Sequence, residues 1–329
     1  KSGDYENMTA GTNADDAMIY TIASNQVNRI RYLKAQRTLI VGTTGGEFTV
    51  SADGTDAAIT PSNIVIKKQS SYGTANVDAI AAGNAVLFLQ KAKRKIRELS
   101  YNFDTDGYVA PDLTILNDIV TKSGITEMSY QQEPDSILWC VRDDGILAGL
   151  TYQRSENVIA WHRHKLGGTF GAGASATGYG VVESAASISG TLTEDEFYVI
   201  VKRTINGATK RYVEVFANFD FDENDATDFK FLDSHLTYDG SAVTTLSGLA
   251  HLEGQTVSIL ADGSTHADKV VSSGQISLDR STSKAVVGLA YDSVLQTMRI
   301  EGGAAEGTAQ GKTKRISKVV LRLFETVGV

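Results

Sequence analysis

His162 and His164 stand two residues apart after Trp161. If the strand runs on past Trp161, both imidazoles fall on one face, and two such nitrogens are half of a zinc site. No third ligand follows at a metal-site spacing, so the plain reading is a pair of polar residues at a strand end. Asp104, Asp106 and Gly107 open like a calcium loop. An EF-hand needs Glu at its twelfth position, and counting from Asp104 that position is Ile115. What remains is a loose loop site for Ca²⁺ or a simple turn. Asp220, Asp222, Glu223 and Asp225 form a denser acidic run, read as a solvated loop. His235, His251 and His266 are scattered.

Other chemistry finds less support. Cys140 is the single cysteine, so no internal disulfide exists. Between Trp139 and Val141 it reads as a buried small hydrophobe. The chain has no G-x-S-x-G, Walker A, H-E-x-x-H or Rossmann pattern. Residues 167–173 (GGTFGAG) are Gly-rich but precede no helical pattern, which leaves a loop rather than a phosphate cradle. Carboxylates are plentiful, yet none is singled out as a glycosidase pair. No catalytic residue, cofactor or metal site is assigned, and the chain is not read as an enzyme. The basic runs 91–97 (KAKRKIR) and 312–322 read as solvated faces, with DNA or an acidic neighbouring subunit as their functional alternative.

Composition bounds the rest. The chain has 329 residues, net charge −8, 31 Gly and 3 Pro. That charge argues against a broad basic grip on nucleic acid. No apolar run approaches the roughly 18 residues of a membrane span, so no membrane insertion is expected. The polar start KSGDYENMTAG has no signal-peptide core and no initiator Met. Residue 1 is therefore expected to lie inside a longer chain.

The elements that would hold these residues are mostly strands. Residues 134–161 contain three β-rich runs separated by polar breaks, and Asp144-Gly145 predicts a type I′ hairpin. TLIVG-TTGG-EFTVS (38–51), AVLFLQ-KAKRK-IRELSYN (85–102) and EFYVIVKR…KRYVEVF (196–216), turned at Asn206-Gly207, repeat the pattern. Their first strands begin near Leu39, Val86, Leu138 and Tyr198, steps of 47, 52 and 60 residues. Periods near 40–50 with several strands each predict β-propeller-like blades. Leu113, Leu116, Ile119 and Val120 make an apolar stripe that predicts one short helix over 112–123, capped by Asp112 and stopped at Gly124.

Past the acidic run, short strands at 235–238, 242–246, 256–261, 267–271, 275–278 and 285–289 predict a small closed β-barrel. Residues 314–326 alternate apolar and polar side chains and read as a long strand, one that returns to the first domain and makes the barrel an insertion. The fold expected is mainly β, with blades over 1–230, a barrel over 231–300 and a loop plus strand over 301–329.

PDSILWCVRDDGILAGLTYQRSENVIAWHRH (134–164), GYGVVESAASISG (178–190) and EDEFYVIVKRTINGATKRYVEVF (194–216) resemble structural tail proteins of tailed bacteriophages and prophages. LEGQTVSILADGSTHADKVVSSGQISLD and KRISKVVLRLF continue the likeness, so it covers the chain from about residue 20 to its end. Members look like tail-tube, nozzle or stabilisation components that combine a propeller with small inserted barrels. Residues 252–289 are similar in shape to the first-catalytic-cysteine-half domain of ubiquitin-activating enzymes, without its chemistry, since this segment has no Cys.

The resemblance implies a virion component made in the bacterial host cytoplasm. Its partners would be other copies of itself, other tail proteins and, transiently, phage DNA. A host-surface or carbohydrate-binding β module using loops such as 167–180, and a cell-wall glycan hydrolase, are the alternatives.

Overall fold

The fold is that of a computed structural model, which describes residues 4, 6–22, 28–54, 57–190, 194–217, 226–297, 308, 311 and 313–323. It is mainly β, and the described residues contain no α-helix. The chain divides into two compact units. One comprises Lys1–Leu166, Gly180–Lys202 and Arg211–Phe216; the other Gly167–Tyr179, Arg203–Lys210 and Ala217–Val329.

The first unit is built from antiparallel meanders in chain order. Sheet one is β1 (Ile30–Ala35), β2 (Leu39–Thr43), β3 (Gly46–Ala52) and β4 (Ile64–Ser70). Sheet two is β5 (Ile80–Ala82), β6 (Ala85–Leu89), β7 (Ile96–Asn102) and β8 (Gly107–Val109). Sheet three is β9 (Ile125–Gln131), β10 (Ile137–Arg142), β11 (Leu147–Gln153) and β12 (Val158–His164). Sheet four has three strands, β13 (Val181–Ile188), β14 (Glu196–Ile205) and β15 (Ala208–Val215). The tip of its β14–β15 hairpin, residues 203–210, groups with the second unit.

Continuous apolar runs explain why these sheets stack. A strand puts alternate side chains on opposite faces, so a run such as Val86-Leu87-Phe88-Leu89 must be covered on both. Val86, Phe88 and Leu99 pack with Tyr32 and Ile40 of sheet one. Leu87, Leu89 and Ile96 pack with Leu138, Cys140, Ala148 and Leu150 of sheet three. On the opposite face of sheet three, Trp139, Val141 and Leu147 meet Val182, Phe197, Val199 and Val201 of sheet four. Cys140 is buried in the middle core, as its neighbours predict.

Hydrogen bonds tie each sheet to the next at one end of the stack. The Thr43 carbonyl accepts from Thr74 N–H (2.8 Å), Lys93 from Ile125 (2.8 Å) and Gly145 from Val182 (2.9 Å). Each acceptor lies in or beside the turn between the second and third strands of its sheet. Each donor lies at or ahead of the start of the sheet that follows. Buried backbone donors that leave one ladder must find another partner, and here the neighbouring turn supplies it.

Several sequence expectations change. Asn206 (φ 48°) and Gly207 (φ 72°) form the predicted two-residue turn with both φ positive. The β10–β11 turn is not type I′. Among its residues only Gly145 has positive φ (78°), with Gly145 N–H on Arg142 O and Arg142 N–H on Ile146 O. That is a type I turn closed by a left-handed glycine.

The helix over 112–123 does not form. Asp112 Oδ1 accepts both Thr114 N–H (2.9 Å) and Thr114 Oγ1 (2.5 Å), while Trp161 Nε1 takes the Leu113 carbonyl (2.9 Å). The backbone closes four-residue turns instead, such as Asn117 N–H to Thr114 O. β-branched Thr114, Ile115, Ile119, Val120 and Thr121 weaken the helical alternative. Leu113 and Val120 are buried, and Leu116 and Ile119 are exposed.

The second unit is an open sheet, not a closed barrel. Its order is β16 (Asp233–Ser247), β19 (Gln275–Leu289), β17 (Thr256–Ala261), β18 (Ser264–Val270), so β16 and β18 are edges. The pairs of short strands expected at 235–246 and 275–289 are single 15-residue strands. Irregular register between Asp239 and Thr245 absorbs what reads as a turn. Residues 313–323 form no strand, and Ile316, Val319 and Leu321 are exposed. Alternation gives a strand only where a neighbouring backbone completes the ladder. Residues 324–326 of that expected strand, Asp220–Asp225 and most of 302–311 lie outside the described residues. Among the described residues no helix is long and apolar enough to cross a membrane.

Gly145 tests the sheet-to-sheet contact. A Cβ there would lie 2.4 Å from Val181 Cγ1, whereas one on Gly207 meets nothing within 4 Å. Gly207→Ala should cost about 1 kcal/mol for its backbone alone. Gly145→Ala should cost about 1–3 kcal/mol more. Urea unfolding followed by the fluorescence of Trp139 and Trp161, both in sheet three, measures the difference.

Candidate functional site

His162 and His164 do share a face of β12. Register places His162 opposite Gly149 and His164 opposite Leu147. Trp139, next along the row through Gly149, presents its ring to both imidazoles at centroid distances of 5.7 and 5.2 Å. It also stacks on Phe197 of sheet four at 4.6 Å. His162 Nδ1 and His164 Nε2 are 2.6 Å apart, so one ring donates to the other. Burial lowers the pKa of His162. Burial, and then the neighbouring His162, lower that of His164 to about 4. At neutral pH both rings are uncharged, and each engages the other rather than an open position.

Gly149 makes this arrangement possible. A Cβ there would sit 2.1 Å from His162 Cε1. The sequence pointed to the two histidines but not to their floor. Gly149 in the middle of an apolar strand was the available signal, since a strand glycine often marks a close approach.

Asp104 and Asp106 occupy the exposed β7–β8 turn of sheet two. Asp106 has φ 44°, and its Oδ1 accepts from Tyr101 OH at 2.6 Å. Among the described residues no group of three or more His, Cys, Asp or Glu side chains is arranged to hold a metal ion. His235, His251 and His266 engage separate partners: the Leu232 carbonyl, the Ser234 carbonyl, and Ala267 with Asp279. The acidic run from Asp220 to Asp225 lies outside the described residues.

A group the sequence did not single out is Glu47, the second residue of β3. It is fully buried. Oε1 accepts from Thr74 Oγ1 (3.0 Å) and Oε2 from the Ser70 hydroxyl. Burial pushes its pKa up to about 7, against the opposing pull of Thr74 and Arg97. Burial and the nearby Glu47 also raise the Tyr32 phenol. Glu98, also buried, pairs with Arg154 at 2.8 Å. Burial raises the Cys140 thiol, which leaves it a poor nucleophile. A concavity of about 180 Å³ is lined by Met18, Tyr20 and Pro61 among others. That is below the roughly 300–1,000 Å³ of small-molecule sites.

No family model matches the chain, and no curated protein matches it.

The buried ionisable groups set the pH dependence of folding. Glu47 has a folded pKa above its ordinary 4.5, so its contribution is complete below about pH 4.5 and lost as pH rises through about 7. Glu47→Gln should therefore gain stability on the parent between pH 5 and pH 8, by at most about 3 kcal/mol. His164 has the opposite sign. Its pKa is depressed from 6.5, so its contribution is complete above 6.5 and lost as pH falls towards about 4. His164→Gln should flatten that acid limb in thermal melts across pH.

Gly149→Ala should destabilise the chain by about 1–3 kcal/mol through overpacking. Adding His162→Ala should return most of that cost, so a double-mutant cycle in urea should show strong coupling.

Proposed function

We propose that the chain is a structural component of a phage or prophage tail, acting by subunit assembly rather than by catalysis. The observation that carries this reading is the stitched repeat. Three four-stranded meanders and a three-stranded one follow in chain order, each buried on the next and hydrogen-bonded to it at the same end. Successive blades of a β-propeller are built this way, and this reading takes the first unit as a run of such blades. The likeness of residues 134–164, 178–190 and 194–216 to tail proteins supplies the class.

In this reading the protein works in the virion tail and is made in the host cytoplasm. Its partners are further copies and other tail proteins, and passing DNA touches it transiently. A net charge of −8 suits a wall past which DNA slides, because phosphates are repelled rather than held. The internally engaged histidines and the buried Glu47 then serve packing between and within sheets, with no bond made or broken.

Light scattering of the purified chain across a concentration series tests this. A ring-sized mass, or one that grows with concentration, is expected. A strict monomer at every concentration speaks against assembly by this chain.

A further inference from the structure

In a meander, successive turns alternate between the two ends of a sheet. The stitches above gather the turns after β2, β6 and β10 at one end, leaving those after β7, β9 and β13 at the other. Charge divides between these ends. At the stitched end the β6–β7 turn holds Lys91, Lys93, Arg94 and Lys95, all exposed. At the other end the three turns hold Asp104, Asp106, Glu133, Asp135, Glu194 and Asp195 and no Lys or Arg. Asp195 binds two of these turns together, accepting from the N–H groups of Gln132 (2.7 Å) and Glu133 (3.2 Å). Arg37 and Arg154 are the cations of the neighbouring turns at that end, and Arg154 is taken up by Glu98.

Apolar exposure accompanies the charge. Beside the Lys/Arg turn, Ile115, Leu116 and Ile119 are 74, 98 and 63% exposed. They are held against it by Leu113 N–H on Ile96 O (2.9 Å) and Thr121 Oγ1 on Arg94 O (2.6 Å). Nearby carboxylates neutralise little of this charge: Asp112 pairs with Lys95 and Asp144 with Arg142, leaving Asp118 and Asp143 against Lys91, Lys93, Arg94 and Lys122. At the acidic end Phe103 is 87% exposed.

We propose that these two ends are one interface seen from both sides: the Lys/Arg turn with its aliphatic trio docks on the acidic end of a second copy, head to tail. This rests on the assembly reading and names its contact surfaces. Three exposed aliphatics have no counterpart on a phosphate backbone, which disfavours DNA as the occupant. A second copy offers four exposed carboxylates, Asp104, Asp106, Glu133 and Asp135, and an exposed aromatic ring. The contact is heterologous, since the two surfaces differ, so each copy keeps one surface for a further copy until the rotation closes a ring or a filament grows. Opposed charges steer the encounter and weaken with salt.

The test uses the full chain in sedimentation velocity at low and high salt. One variant removes the basic surface (Lys91→Ser, Lys93→Asn, Arg94→Ser), and a second removes the acidic one (Asp104→Asn, Glu133→Gln, Asp135→Asn). All six side chains are exposed, so parental melting temperatures are expected. Each variant alone should associate at least tenfold more weakly than the parent. Mixed in equal amounts they should form one-to-one dimers that grow no further, because each retains the surface the other lacks.

Association of both variants at the parental level overturns the proposal and leaves the tail reading standing on another interface. Absence of dimers in the mixture also overturns it. A parent that stays monomeric at every concentration overturns both readings. A monomeric parent that sediments with phosphatidylglycerol vesicles but not phosphatidylcholine ones assigns the basic end to an anionic lipid surface instead.

Discussion

The first unit depends on a constraint that its two inner sheets meet in the same way. Strands such as Val86–Leu89 and Leu138–Val141 are apolar at every position, so sheets two and three can leave neither face in water. Each of these is sandwiched between neighbours, and the polar backbone where the chain passes between sheets must still be paired. The turn carbonyls at Thr43, Lys93 and Gly145 do that pairing, one for each junction. Hydrophobic burial sets how closely the sheets approach; the stitches set their register along the strands. Neither suffices alone, because burial is non-directional and a lone hydrogen bond contributes only about 1 kcal/mol net.

Residues that look chemical take their character from that packing. Trp139 is the hub of the junction between sheets three and four, with Phe197 on one side and two imidazoles on the other. The histidines are kept neutral by burial, and Gly149 leaves space for the nearer ring. Glu47 is likewise held by Ser70 and Thr74 where sheet one hands over to sheet two. Titratable groups buried at sheet junctions make stability a property that responds to pH.

Much of this organisation was legible in the sequence. The runs in 137–164 and the Asn206-Gly207 turn report strands and a hairpin directly, since local propensity and tertiary contact agree there. The failures have physical causes. Leu113, Leu116, Ile119 and Val120 carry a helical period, but Asp112 and Trp161 claim the groups a helix would use. Two 15-residue strands in the second unit look like pairs of short ones because irregular register hides inside them. Glu47 was invisible because its burial comes from β4 and the segment after it, not from its neighbours in sequence. The segregation of charge between the two ends is also unreadable before the meander order is known.

Native-state hydrogen exchange at Thr74, Ile125 and Val182 tests the central claim most directly. These amides stand at or ahead of the start of a sheet, where an unattached chain exchanges readily. If the stitches hold the sheets in one cooperative stack, all three should be protected to the level of the central strand amides of β6 and β10. Exchange at the rate of exposed turns, with those strands still protected, would contradict the stack as a single stitched unit.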